Sequence, residues 1–136
     1  MLYLEDIRDY IASLNITDDE HVYMGKMDNK REKSIGVYHL NRASPQKIPL
    51  GGLKNSSYDT KNISVLIHWN KSPRETEKAS VKLFNMLSEA EEETINQKKI
   101  KFISLLTDEP KDVGTDDDGV YEMVIEAGFI YERKVE

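Results

Sequence analysis

The stretch Val120 to Tyr131, VYEMVIEAGFIY, decides the fold. Tyr121, Met123, Ile125, Ala127, Phe129 and Tyr131 fall on one face and Val120, Glu122, Val124 and Glu126 on the other, the two-residue period of a half-buried strand. A usual strand has about 5 to 6 residues, so one this long is expected to run past its own sheet or to lie in a strongly twisted two-stranded ribbon. An overhang of that kind points to assembly. The segment feeding it, Thr107 to Gly119, holds Pro110, Gly114 and six carboxylates and reads as an acidic loop.

Working back from this strand, Lys99 to Leu106 reads as its antiparallel neighbour, with Ile100 and Phe102 on one face and Ile103 and Leu105 on the other. Apolar residues on both faces predict a central strand. Before it, Ser72, Pro73 and Glu75 form a helix start: a capping serine, a proline where its missing N–H costs nothing, and a glutamate at the third position. The helix is expected to run to about Glu92 with Ala79, Leu83, Met86, Leu87 and Ala90 inward. Val81 and Phe84 lie off that stripe, which makes Phe84 a candidate second apolar face.

Ile63, Val65, Ile67 and Trp69 alternate with polar neighbours and predict a strand over 62–70. Near the start, Tyr3, Leu4, Ile7, Ile11 and Leu14 recur at helical spacing, predicting an amphipathic helix over 2–14. His21 to Met27 and Ser34 to Leu40 read as two short strands in a hairpin-like pair. The fold class expected is therefore α+β: two layers, a mostly antiparallel or mixed sheet of about five strands, and two helices packed on one face. A chain of 136 residues suits one domain over 1–136. Its long connection, 41–61, contains Pro45, Pro49, Gly51 and Gly52. With few apolar anchors beyond Ile48, Leu50, Leu53 and Tyr58, it is expected to be disordered in the free subunit and ordered on assembly.

The chain carries 25 acidic and 19 basic residues, a net charge of −6, which argues against a chain-wide grip on nucleic acid or anionic membrane. There is no cysteine, hence no disulfide and no thiolate metal site. The N-terminal MLYLEDIRDY lacks a basic, apolar leader, and no stretch is long enough for a membrane helix, so synthesis and retention in the cytoplasm are expected.

Reactive chemistry is sparse. Asp116, Asp117, Asp118 and Gly119 invite a calcium reading, but placing Gly119 at the loop glycine puts Gly114 and Ile125 where the first and last side-chain ligands belong. The acidic run reads better as a solvated turn that keeps a hairpin soluble. His21, His39 and His68 each stand alone on an expected strand and read as surface or edge histidines. Lys98, Lys99 and Lys101 form a short basic patch suited to an acidic partner or to plain solvation. With no nucleophile elbow, phosphate loop or zinc-helix motif, the expectation is a non-enzyme without cofactor.

Pro49-Leu50-Gly51-Gly52, the Ser57-Tyr58-Asp59 step, the 63–70 strand, the 72–92 helix and the closing Pro110…Gly114…Asp116-Asp117-Asp118-Gly119…Tyr121-Glu122 occur in an order that resembles the minor capsid and tail terminator proteins of long-tailed bacteriophages. The resemblance covers most of Leu50 to Arg133. It implies a structural protein of the virion neck: a ring, usually of six copies, that ends tail-tube polymerisation, meets the tube protein on one side and the head connector on the other, and lets DNA pass unbound. Production in the bacterial host cytoplasm, in a phage or prophage setting, goes with it. A closing ring requires two different surfaces per subunit, and the candidates are Ile48, Leu50, Leu53, Tyr58 and Phe84 with Asp116, Asp117, Asp118, Phe129 and Tyr131. The competing readings are another head-tail connector or completion protein, a small binding module for a host protein or calcium, and a metal-dependent nuclease. A ligand-dependent melting temperature would mark the module, and carboxylates converging from several elements the nuclease.

Overall fold

The computed structural model describes residues 1–28, 30–40 and 58–133. Helix α1 (Leu4–Ser13) is followed by a single 3-10 turn, then strands β1 (Val22–Met24), β2 (Ser34–His39) and β3 (Tyr58–His68). Helix α2 (Pro73–Ser88) leads to β4 (Glu93–Ile95), β5 (Lys98–Leu105), β6 (Lys111–Thr115) and β7 (Tyr121–Glu132). One mixed sheet takes the order β1-β2-β3-β7-β5-β4, with β6 continuing the β5 side of β7.

The long strand is the middle of the sheet, not an overhang. Along one side, β7 pairs with β3 without interruption from His68↔Glu122 to Tyr58↔Glu132. Along the other, its C-terminal half pairs with β5 and its N-terminal half with β6, both antiparallel. Twelve residues are needed because β7 serves three partners. Its alternation holds: Ile125, Ala127, Phe129 and Tyr131 are buried on the helix-covered face.

Both helices contribute to one core cluster with Ile35, Val37, Ile63, Val65, Ile67, Ile100, Ile103 and Phe129. Helix α2 lies against β7, β5 and β3. Ser72 Oγ accepts the Glu75 amide as expected, while the Glu75 carboxylate accepts from Asn70 Nδ2 and Asn70 Oδ1 takes the Ser72 amide. The buried stripe is Thr76, Ser80, Leu83 and Leu87, its two hydroxyls bonded back to carbonyls of the preceding turn. Helix α1 touches β1 and β2 at one end of the sheet order and β4 at the other, so the sheet is curled and α1 spans its gap. Here Tyr10 is buried, its ring edge-on to Phe129 at 6.1 Å, whereas Tyr3 is exposed beneath the Lys98 ammonium.

Several expectations are corrected. Among the described residues there are seven strands where about five were expected. Helix α2 stops at Ser88, and β4 begins at Glu93. Within the acidic segment, Lys111–Thr115 is a strand. β1 and β2 are parallel, with Val22 opposite Ile35, not a hairpin. Because β1 has only three residues, residues 25–33 need to return the chain by only about 10 Å. Strand β3 begins at Tyr58, inside the expected long connection. In β5 a register shift between Ile100 and Phe102 resets the alternation, so Ile100 and Ile103 are both buried and Phe102 faces solvent.

Candidate assembly surfaces

Of the residues singled out from sequence, Ile48, Leu50 and Leu53 lie outside the described residues. Phe129 and Tyr131 are buried in the chain's own core, and Phe84 is half-buried against it, so these three belong to folding rather than to an open surface. Tyr58, at the start of β3, is 48% exposed, and the Lys101 ammonium stands 5.5 Å from its ring centroid.

Asp116, Asp117 and Asp118 form the tip of the β6–β7 hairpin. Asp116 Oδ1 accepts from the Asp118 and Val120 amides, both at 2.9 Å, and the Asp116 amide donates to the Val120 carbonyl. Gly119 closes the turn at φ +81, a conformation glycine adopts without a Cβ clash. Asp116 therefore builds the turn, while Asp117 and Asp118 point their charge into solvent. The expected solvated acidic hairpin is what the local geometry supplies.

Behind the tip is a residue that sequence reasoning misplaced. His68 is fully buried, on the sheet face opposite the helices. Its Nδ1 is 3.0 Å from Glu122 Oε2 and 3.7 Å from Asp116 Oδ2. Ser34 sits beside it on β2 and Glu122 on β7, so Ser34, His68 and Glu122 form one row across three strands. Ser34 Oγ donates to the Arg31 carbonyl, and His68 Nε2 has no hydrogen-bond partner among the described residues. The buried His68 and Ser34, with Glu122 at the partly exposed end of the row, fix the hairpin to the sheet; the signal in sequence would have been the pairing of His68 with Glu122, 54 positions away.

Two bulges shape the remaining surface. In β6 the register shifts between Asp112 and Gly114, and Val113 turns outward, 51% exposed, on a strand exposed at every position. In β5 the shift already described leaves Phe102 54% exposed opposite Ile130. Beside it Lys99 and Lys101 share the Glu92 carboxylate, at 2.5 and 3.3 Å. Lys98 is committed to Asp6.

A hollow of about 270 Å³, lined by Met1, Asn96, Gln97, Lys98, Lys99, Tyr131 and Glu132, gathers no set of reactive side chains. Asp18, Glu20 and His21 place their ligand atoms within 4.8 Å of one another, closer company than His21 was expected to keep, but on an open surface. Among the described residues no helix is long and apolar enough to cross a membrane.

Comparison with known proteins adds one positive finding. Residues 10–133 match the sequence profile of a family described as bacteriophage tail terminator protein. No curated protein matches the chain.

Proposed function

The chain belongs to the bacteriophage tail terminator family, and from that premise we propose that its copies form a ring, six in number, at the head-proximal end of the tail tube, stop tube growth there and join tail to head. Membership makes it a structural phage protein of the tail end. The match over residues 10–133 is the observation that carries the proposal. In this reading the protein is a virion component and not an enzyme, its partners are the tube protein and the head connector, and residues 1–136 act as one domain.

The surfaces fit the role. A ring with head-to-tail contacts requires two different patches per subunit, and the exposed apolar residues Val113 and Phe102 lie on different strands far apart on β7. The net charge of −6 gives passing DNA little to bind. Lumen-facing acids, with Asp117 and Asp118 the candidates, would strengthen that effect; charge reversal at the hairpin tip should then slow DNA passage, and unchanged passage would refute the orientation.

The test is electron microscopy of tube protein polymerising with and without this chain. The proposal expects a ring at one tube end and growth halted there. Tubes of unchanged length with bare ends would move the chain to a different joining position between head and tail.

A further inference from the structure

Resting on the ring reading, we propose that neighbouring copies join through two particular surfaces. The Val113 bulge of β6 in one copy, with the carboxylates beside it, docks on the Phe102 patch of the next, on the sheet face that the helices leave open, and the Asp117–Asp118 tip stays clear of the contact.

Strand addition at the ends of the sheet is blocked. Arg8 Nε donates to the Val22 carbonyl at 2.8 Å, covering β1, and α1 leans on β4 with Asn96 Nδ2 donating to Asp6 and Asp9. Capped edges of this kind resist pairing with another chain. Among the described residues β6 pairs only with β7, and its bulge presents an apolar side chain in an otherwise polar strand. An exposed valine there and an exposed phenylalanine on β5 are the apolar anchors.

Charge selects how they meet. Residues 108–118 carry six carboxylates and one lysine, and that lysine is bound to Glu126. Around Phe102, two ammonium groups share a single carboxylate, and Lys101 also covers Tyr58. The excess of carboxylates around Val113 therefore complements the two ammonium groups that share one carboxylate beside Phe102, while two Val113 surfaces facing each other set like charges together. Phe102 pairs with Ile130, and β6 pairs with Tyr121 to Val124, so the two patches stand roughly 20 Å apart along β7. One copy cannot satisfy itself, and the contact runs from each copy to the next.

The absence of cysteine makes this directly testable. Phe102→Cys and Val113→Cys chains, each with an unchanged melting temperature, are mixed with tail tubes and treated with a flexible bismaleimide. The proposal expects a linked dimer from the mixture and about tenfold less from either variant alone. Linkage of Phe102→Cys chains to each other at equal yield would overturn it. So would rings seen at tube ends without the mixed dimer, an outcome that leaves the ring reading standing; no rings at all would remove both. As a second measure, Lys101→Glu should raise the concentration needed for ring formation about tenfold, and Glu109→Lys, at an exposed carboxylate of the acidic segment, added to it should restore assembly. Failure of that rescue with both chains folded would also count against the contact.

Discussion

The Asp6 carboxylate meets the Lys98 ammonium at 2.6 Å, where α1 closes the gap in the curled sheet. Asp6 is buried and also accepts from Asn96 Nδ2 and from the Tyr3 amide. Burial works to raise its pKa, but hydrogen bonds from Lys98, Asn96 and Tyr3, with the lysine charge, outweigh it and hold the group below the usual aspartate value. A depressed carboxyl contributes stability above its unfolded value and loses it as pH falls through its folded one.

Asp6→Asn should therefore lose about 1–3 kcal/mol at neutral pH. It should also flatten the fall in stability that the parent chain shows below about pH 4. Urea unfolding at pH 7 and pH 3 measures both. An equal deficit at the two pH values would show that the carboxylate charge is not what holds the seam.

The elements legible in sequence were those with sustained patterns. β7 alternates over twelve residues, β3 alternates from Ile63 to Ile67, and α2 announces itself at Ser72 and Pro73. β4 has three residues and β6 is exposed throughout, so neither bears a hydrophobic period. The parallel pairing of β1 reflects chain return and tertiary pairing, which short-range patterning does not encode. Bulges are equally invisible, and one of them carries Phe102 from an expected apolar face to the surface. The acidic tip was readable as a turn, whereas Phe129 and Tyr131 resembled interface residues only because β7 was expected to overhang.

Buried His68 should matter more than its isolation in sequence suggests. His68→Ala removes a packed ring and leaves Glu122 facing a void, with an expected loss of about 2–4 kcal/mol. The same layer constrains Gly36: a Cβ there would sit 2.7 Å from Tyr38 Cε2, and the Tyr38 hydroxyl is tied to the Met27 backbone. Gly36→Ala should cost about 1–3 kcal/mol. Chemical denaturation decides both, and a value within experimental error of the parent would show that the layer is not packed as described.

The hairpin tip depends on one carboxylate and one glycine. Asp116→Ala deprives the Asp118 and Val120 amides of their acceptor, and Gly119→Ala places a side chain at φ +81. Each should cost about 1 kcal/mol. The loss should be local, with faster amide exchange at Asp116, Val120 and Tyr121 and little change in β3. Uniformly faster exchange would mean that the tip unfolds together with the whole sheet.

The β5 bulge yields opposite outcomes at adjacent positions. Ile103 lies opposite Phe129 in the core, while Phe102 stands opposite Ile130 on the open face. Ile103→Ala should cost about 2–4 kcal/mol, since it removes buried methyl groups and leaves a cavity. Phe102→Ser should change monomer stability by only about 0.5 kcal/mol, the range of ordinary surface substitutions. Unbroken alternation from Ile100 would have put Phe102 in the core with Ile100 and turned Ile103 outward, reversing the order of the two effects. Thermal unfolding of the two variants at a concentration where the chain is monomeric therefore reads the phase of the strand directly. If Phe102→Ser proved the more destabilising, the bulge and the open-face patch built on it would both have to be abandoned.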